Sequence, residues 1–241
     1  MCCGYFVLKS SNFSRLIVRI KFVGLRGYKG EMVMIAEIKH KVINYQEDEL
    51  TGNFFGNMRY LPFDRGLQII FTKYCKSNDR AFLNILTEIK KTEFDMNFWK
   101  KSMNGHREID GYIEVGDVGI GIEVKYNSGL SGEEQLEDEA GMVSQWCKSD
   151  KKLLLFIAKE ESVKQIYLAN YKKNIFQKVH LGYISWEDIL LGLDDVIVMS
   201  RQEELIVKDL KEFLEGRGFL AFQGFEKIVL PVERGQYYEF G

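Results

Sequence analysis

Three residues, Asp110, Glu123 and Lys125, have the types and the spacing that predict a chemical site. They lie in two stretches of alternating apolar and polar residues that flank the turn-forming residues 116–119, a pattern typical of a β-hairpin. In that hairpin we expect position 110 to lie roughly opposite position 125. Side chains alternate between the two faces of a strand, so Glu123 and Lys125 share a face, and Asp110 joins them from the neighbouring strand. Two carboxylates and one ammonium are therefore predicted to meet at the edge of a sheet.

Two carboxylates beside an ammonium favour chemistry on a phosphate ester. Hard divalent cations such as Mg²⁺ are commonly held by one or two carboxylates and by substrate phosphate oxygens. The cation polarises the phosphoryl group and lowers the pKa of bound water, and a nearby lysine orients that water or offsets charge in the transition state. This chemistry needs neither histidine nor cysteine. The chain has 3 histidines and 4 cysteines without a CxxC pair, so we expect neither a structural zinc site nor a disulfide framework.

The residues Ile109-Asp110, followed by Ile122-Glu123-Val124-Lys125, resemble the motif of the PD-(D/E)XK nuclease superfamily. Glu123 comes 13 positions after Asp110, and Ile109 stands where the motif has proline. The resemblance implies a restriction-endonuclease-like αβββαβ core over roughly residues 40–160, about half of the chain. It also implies Mg²⁺ as the cofactor, with Mn²⁺ as a substitute, and a hydrolysis that leaves a 5′-phosphate.

The resemblance further implies a carboxylate from the helix that precedes the sheet, and Glu47, Asp48 and Glu49 are the candidates. Glu47 lies three positions before Leu50 and seven before Phe54, so it shares their predicted inward face. Glu49 is the second choice, because two helical steps of about 100° turn it about 200° away from Glu47. Gln135, early in the helix after the hairpin, matches a position where related nucleases often carry a polar residue near the scissile phosphate.

These residues together predict a metal-dependent nuclease that hydrolyses phosphodiester bonds in nucleic acid, in DNA rather than RNA. We expect Asp110 and Glu123 to bind Mg²⁺, with Glu47 as an auxiliary metal ligand or as an acid just outside the ligand set. We expect Lys125 to activate the attacking water and to stabilise charge, and Gln135 to help position the phosphate. By analogy with small stand-alone members of the superfamily, the context would be restriction, repair or phage defence.

Three other interpretations of the same residues stay open. Aspartate, glutamate and lysine are abundant, so a D…ExK pattern also arises by chance on a solvated hairpin face. A catalytically inactive nuclease-fold module, for interaction or nucleic-acid binding, would keep the acids and lose cleavage, and the net charge of −2 suits such a module. A hydrolase that uses the acids as general acid and base would work without a metal.

The surrounding pattern predicts an α/β fold in which helices flank both faces of a mixed sheet. Alternating or continuous apolar stretches predict strands at 94–98, 107–115, 120–126, 152–158 and 179–184. Apolar residues three or four apart predict helices at about 35–74 with a break at Pro62, and at 80–92, 133–147, 160–173 and 202–215. Ser185, with Asp188 three residues later, predicts the cap of one more helix.

The composition sets the class of protein. The 241 residues are 46% hydrophobic and 28% charged, as in a globular protein with a sizeable core. Apolar runs such as 153–158 are far too short to cross a bilayer. We therefore expect no membrane partner. The lack of a disulfide framework predicts a reducing, cytoplasmic location, and we leave open whether the protein forms a homo-oligomer.

The start of the chain differs in charge from the rest, because its first 30 residues carry 6 lysines and arginines and no acid. Residues 29–31 read as a translated bacterial ribosome-binding site, which makes Met32 or Met34 the predicted native start. The predicted organisation has three parts: a basic N-terminal extension that need not be native (1–33), a nuclease-like domain (34–200) and a C-terminal helical and aromatic appendage packed on that domain (201–241).

Overall fold

The computed structural model of the chain describes residues 46–103 and 105–220. The predictions for the extension 1–33, for the native start and for a helix before Gln46 lie outside the described residues. So does the end of the C-terminal appendage. Within the described ranges the protein is α/β, with a five-stranded mixed sheet flanked by helices, as the sequence predicts.

The five strands lie in the sheet in the same order as in the chain. They are β1 (Asp95–Lys101), β2 (Glu108–Val115), β3 (Val118–Val124), β4 (Lys152–Ala158) and β5 (His180–Ser185). Strand β2 is antiparallel to β1 and to β3, whereas β4 runs parallel to β3 and β5 parallel to β4. The carboxyl ends of three strands therefore meet at one edge, which is where open α/β sheets bind ligands.

Seven helices pack on this sheet in the described part of the chain. They are α1 (Gln46–Met58), α2 (Leu67–Tyr74), α3 (Arg80–Glu88), α4 (Gln135–Trp146), α5 (Glu160–Asn170), α6 (Trp186–Gly192) and α7 (Arg201–Gly216). Pro62 lies in the break between α1 and α2, as predicted. The predicted helix 160–173 is too long, because α5 ends at Asn170 and a short 3₁₀ helix, Asn174–Gln177, follows. The predicted cap of α6 is confirmed, since the Ser185 hydroxyl accepts a hydrogen bond from the Asp188 N–H at 2.9 Å.

The sheet separates two hydrophobic cores. One face buries Ile122 and Val124 of β3 against α1, α2, α3, α6 and α7. The other face buries Leu154 and Phe156 of β4 against α4 and α5. Strand β4 is buried on both faces, as its almost continuous apolar sequence predicts. In the described part of the chain, no helix combines the length and the apolar character that crossing a membrane requires.

The β2–β3 hairpin has a shorter turn than the sequence predicts. Val115 pairs with Val118, so the turn contains only Gly116 and Asp117, and Gly116 has the positive φ of 62° that favours glycine. The expectation that position 110 lies opposite 125 is therefore wrong by two residues, since the observed pair of Gly111 with Ile122, extended by one residue, sets 110 opposite 123. A shift of two residues does not change the face of any side chain, so the predicted shared face is retained.

Two glycines of β3 allow α4 to lie close to the sheet. A Cβ atom added at Gly121 would come within 2.5 Å of Val143 Cγ2, and one at Gly119 within 2.7 Å of Cys147 Cβ. Both glycines lie on the same face of β3 as Glu123 because they are two and four residues before it. Helix α4 can therefore approach this face closely enough for its first two turns to reach the Glu123 side chain.

Candidate active site

Asp110 holds β2 to β3 at the point where the two strands diverge. The backbone ladder ends with the pair Gly111 and Ile122. In a regular continuation the Val124 N–H would bond to the backbone of residue 109. It donates instead to the Asp110 carboxylate oxygen Oδ2 at 2.8 Å. The Asp110 carboxylate is thereby fixed against the carboxyl end of β3.

Glu123 and Lys125 form a buried ion pair at the end of β3. Lys125 Nζ lies 2.7 Å from Glu123 Oε1, and the two residues are 8% and 2% exposed, respectively. The Lys125 backbone is held as well, because its N–H donates to the Ile157 carbonyl of β4 at 2.7 Å. Asp110 lies close enough to Glu123 and Lys125 for their charges to affect its pKa. The structure thus brings the three residues together at one edge of the sheet.

Glu47, in the first turn of α1, reaches the same place from the other side of the sheet. Its Oε2 lies 3.6 Å from Lys125 Nζ, while its Oε1 accepts hydrogen bonds from the Tyr126 N–H at 3.0 Å and the Ser128 hydroxyl at 2.5 Å. Glu49 points elsewhere and pairs with Arg217 beyond the end of α7. Of Glu47 and Glu49, the first and second choices from the sequence, Glu47 is the one that contacts Lys125, and both of its oxygens already have partners.

Gln135, the first residue of α4, forms hydrogen bonds through both the nitrogen and the oxygen of its side-chain amide. Its Nε2 donates to Glu123 Oε1 at 2.5 Å and to Glu139 Oε1 at 2.9 Å. Its Oε1 accepts from the N–H and the hydroxyl of Ser131, at 2.7 and 3.0 Å. These contacts leave the Gln135 amide oriented toward the two carboxylates, so its direct effect is on the position of Glu123.

Glu139 is a member of the site that the sequence reasoning missed. It is 2% exposed and lies one helical turn after Gln135, on the face of α4 that packs against β3. Asp48, a candidate from the sequence that was not chosen, also belongs to the site. Its charge affects the pKa of Asp110, and its carboxylate accepts a hydrogen bond from Trp99 Nε1 at 2.9 Å. The four-residue spacing from Gln135 to Glu139 is the one signal that could have pointed to Glu139.

Three buried carboxyl groups, those of Asp110, Glu123 and Glu139, have raised pKa values. Desolvation raises the pKa of Asp110 well above its usual range, repulsion from Glu123 adds to this, and the Val124 N–H and Lys125 oppose it. Burial also raises the pKa of Glu123, as does the neighbouring charge of Glu139, against the effect of Lys125. Burial raises the pKa of Glu139 to about 8. The cluster therefore holds its negative charges at a cost in free energy.

For Lys125, the neighbouring carboxylates affect the pKa more than burial does. Burial by itself lowers the pKa of its ammonium, but attraction and hydrogen bonding to Glu123, with further attraction from Asp110 and Glu47, raise it above the usual value. Lys125 is therefore an ammonium at neutral pH, able to donate hydrogen bonds and to balance negative charge. It cannot accept a proton in this state.

The donor set suits a hard divalent cation held by few protein ligands. In the two described ranges, no three or more histidine, cysteine, aspartate or glutamate side chains are grouped so that they could hold a metal ion. Mg²⁺ usually needs only one or two carboxylates, because water and substrate phosphate complete its coordination. Asp110 and Glu123 supply such carboxylates, and their mutual repulsion is what a cation would relieve. These two residues fit the cation, while Glu47 is better placed to support Lys125.

The site draws on four elements that are far apart in the sequence. Asp110 comes from β2, Glu123 and Lys125 from β3 and its end, Glu47 from α1, and Gln135 from α4. Each of these five residues was predicted from the sequence, and the structure places all five at the carboxyl end of β3. Comparison of the chain with protein-family models and with curated proteins finds no match.

Proposed function

We propose that the protein is a divalent-cation-dependent phosphodiesterase that hydrolyses nucleic acid, with DNA preferred to RNA. One observation carries the proposal: the buried Glu123 carboxylate lies 2.7 Å from the Lys125 ammonium, beside Asp110, at the carboxyl end of β3. From α1 to β4 the order is three helices, three strands, a helix and a strand, which contains the αβββαβ order of the family that the motif resembles. The preference for DNA rests on the resemblance of the D…ExK residues to the PD-(D/E)XK nucleases.

Asp110 and Glu123 would hold the cation, Mg²⁺ or in its place Mn²⁺. A bound Mg²⁺ polarises the phosphoryl group and lowers the pKa of the water bound to it. Asp110 remains tied to Val124 through Oδ2, so the strand end keeps its carboxylate in place before any ligand binds. Preorganised carboxylates of this kind do not have to be ordered during the reaction.

Lys125 would orient the attacking water and stabilise the charge that develops on the phosphate. Its raised pKa keeps it protonated at neutral pH, so it acts as a hydrogen-bond donor and a positive charge, not as the base. Glu47 orients the Lys125 ammonium from the far side. Gln135 would hold Glu123 in position through the hydrogen bond that its Nε2 donates. Its contact with the phosphate, expected from the sequence, stays a prediction.

A non-catalytic interaction module is the second candidate. The observation that favours it is that Glu123 Oε1 already accepts hydrogen bonds from Lys125 and Gln135, which satisfies that oxygen without a cation. A module that has lost cleavage could retain these contacts for stability alone. It would bind nucleic acid or protein and leave phosphodiester bonds intact.

Nicking of a supercoiled plasmid in Mg²⁺ or Mn²⁺ separates the two candidates. We expect the wild type to nick the plasmid. Lys125→Ala and Asp110→Asn should each reduce the nicking rate by at least about 100-fold, because each change removes a charge used in the transition state. The matched controls are Lys151→Ala and Asp117→Asn, which alter an ion pair at the hairpin turn, at the opposite end of β3. Both controls should nick at the wild-type rate.

Parallel reactions with single-stranded and duplex DNA and RNA would test the substrate preference. No cleavage by the wild type with any of these substrates and either metal would favour the interaction module. Equal cleavage by the wild type and both site variants would place the activity elsewhere. Cleavage that persists after the metal is chelated would favour acid–base hydrolysis without a cation.

A further inference from the structure

Glu139 has a buried carboxyl oxygen without a partner. The side chain is 2% exposed, and Gln135 donates a hydrogen bond to its Oε1 at 2.9 Å. Its Oε2 has no hydrogen-bond partner among the described residues. Four buried side-chain atoms lack a partner in this part of the chain, and Glu139 Oε2 is the carboxyl oxygen among them. A buried acceptor of this kind calls for an explanation, and a bound water or ion is a common one.

Gln135 connects Glu139 to Glu123. Its single Nε2 group donates to one oxygen of each carboxylate, while Ser131 holds the other end of the amide. A change in the Glu139 carboxylate therefore changes the geometry of the hydrogen bond to Glu123. In metal sites, partners of this kind orient the ligand residues and strengthen binding.

One ammonium serves several carboxyl groups here. Lys125 Nζ contacts Glu123 and Glu47, and Gln135 joins Glu123 to Glu139. An ionised Glu139 would add a further negative charge beside Glu123 and Asp110. A hydrated divalent cation would offset that charge and would supply a hydrogen-bond donor for Glu139 Oε2, which lacks a partner among the described residues.

We propose that Glu139 is a positioning residue for a divalent cation held by Asp110 and Glu123. It fixes the Glu123 carboxylate through Gln135, and its Oε2 accepts a hydrogen bond from a water molecule that the cation carries. This inference rests on the cation site of the proposed function, but it does not require that the protein cleaves nucleic acid.

Binding of Mn²⁺ alone to the full chain tests the role of Glu139. The variants are Glu139→Gln, which keeps the shape and removes the charge, and Glu134→Gln, a matched control at an exposed position just before α4. We expect Glu139→Gln to bind Mn²⁺ about 10- to 100-fold more weakly than the wild type, and Glu134→Gln to bind equally well. Calorimetry or the electron paramagnetic resonance of free Mn²⁺ gives the dissociation constants. Without metal, the unfolding temperature of Glu139→Gln should be no lower than that of the wild type. If Glu139 had a purely structural role, the substitution would lower it.

The outcomes separate this inference from the proposed function. Mn²⁺ affinity within twofold of the wild type in folded Glu139→Gln would overturn the role of Glu139 alone. Absence of saturable Mn²⁺ binding by the wild type would overturn the cation site as well. Mn²⁺ binding that depends on Glu139, in a protein that cleaves no nucleic acid, would support the inference and contradict the proposed activity. If Glu139→Gln does not fold, Glu139→Asp retains the charge and withdraws the carboxylate by one methylene, and the same twofold criterion applies to it.

Discussion

Single residues of the candidate site serve the fold and the chemistry at once. Glu47 accepts hydrogen bonds from the Tyr126 backbone and Ser128, which closes the loop after β3, and it also faces Lys125. Glu139 is buried on the face of α4 that packs against the sheet, and it lies close to the carboxyl groups of Asp110 and Glu123. Because of this double use, a substitution changes both stability and activity, and informative experiments compare acids that differ in only one of these respects.

Replacement of Glu139 should change the dependence of stability on pH. The pKa of Glu139 is raised to about 8 in the folded protein from an ordinary value near 4.5. Because the pKa is higher in the folded than in the unfolded protein, the protonated Glu139 side chain stabilises the fold. This stabilisation is complete below about pH 4.5 and is lost as the pH rises through 8. Metal-free wild type should therefore lose on the order of a few kcal/mol of unfolding free energy between these pH values, and Glu139→Gln should lose less.

Chemical denaturation at a series of pH values measures that difference. Glu134→Gln, at an exposed position, should follow the wild-type curve. Parallel curves for wild type and Glu139→Gln would show that Glu139 is ionised in the folded state across the whole range.

Glu47 and Glu49 should differ in their effect on cleavage. Glu47→Ala removes a partner of Lys125 and two acceptor contacts after β3, so we expect about tenfold slower nicking and a loss of about 1 kcal/mol of stability. Glu49→Ala removes only the pair with Arg217 and should nick at nearly the wild-type rate. Nicking rates with thermal unfolding of both variants check this, and equal rates for the two would contradict a role for Glu47.

At the scale of elements, the edge of the sheet joins two helices from opposite faces. Helix α1 packs in one core and α4 in the other, yet each brings its first turn to the carboxyl end of β3. Glycines on β3 and β5 permit the close approach of helices on both faces. The position of the site therefore depends on packing distances that are set well away from it.

Gly182 in β5 should be one of the least replaceable glycines. A Cβ atom there would come within 2.3 Å of the Phe82 ring of α3, which is fully buried. We expect Gly182→Ala to lower the unfolding free energy by about 1–3 kcal/mol, through displacement of α3. Gly141→Ala, in the middle of α4 with nothing within 4 Å of the added Cβ, should instead raise it by about 0.5–1 kcal/mol. Urea denaturation measures both, and a stable Gly182→Ala protein would mean that α3 can move without loss.

The elements show which features a sequence can predict. Strand β4 is predicted to the residue, because a continuous apolar run between polar residues has few other structures. The hairpin turn is predicted two residues too long, because Val118 and Gly119 join the strand only through their pairing with β2 and β4. Glu139 is missed since five acids lie within residues 133–139, and only packing against β3 distinguishes the buried one.

At the scale of the whole molecule, the proposed cation site would link cation binding to folding. A cation that binds only the folded protein stabilises it by an amount that grows with its concentration. Mn²⁺ at about 100 times its dissociation constant should therefore raise the unfolding free energy by about 2.7 kcal/mol. We expect this gain in the wild type and in Asp117→Asn at the hairpin turn, and none in Asp110→Asn.

Thermal unfolding with increasing Mn²⁺ measures the gain for the whole chain without any substrate. The same titration with Ca²⁺ would show whether the site accepts a larger cation. An equal gain in Asp110→Asn would place the bound cation somewhere other than beside Asp110.

The way in which Asp110 is held decides which replacement of it is informative. An asparagine retains an oxygen for the Val124 N–H, so the strand junction survives while the negative charge disappears. An alanine would leave the Val124 N–H without an acceptor and would loosen the junction. A loss of activity could then result from a changed structure. Because one oxygen of the Asp110 carboxylate serves the strand junction, Asp110→Asn removes the charge and keeps the junction, whereas Asp110→Ala removes both.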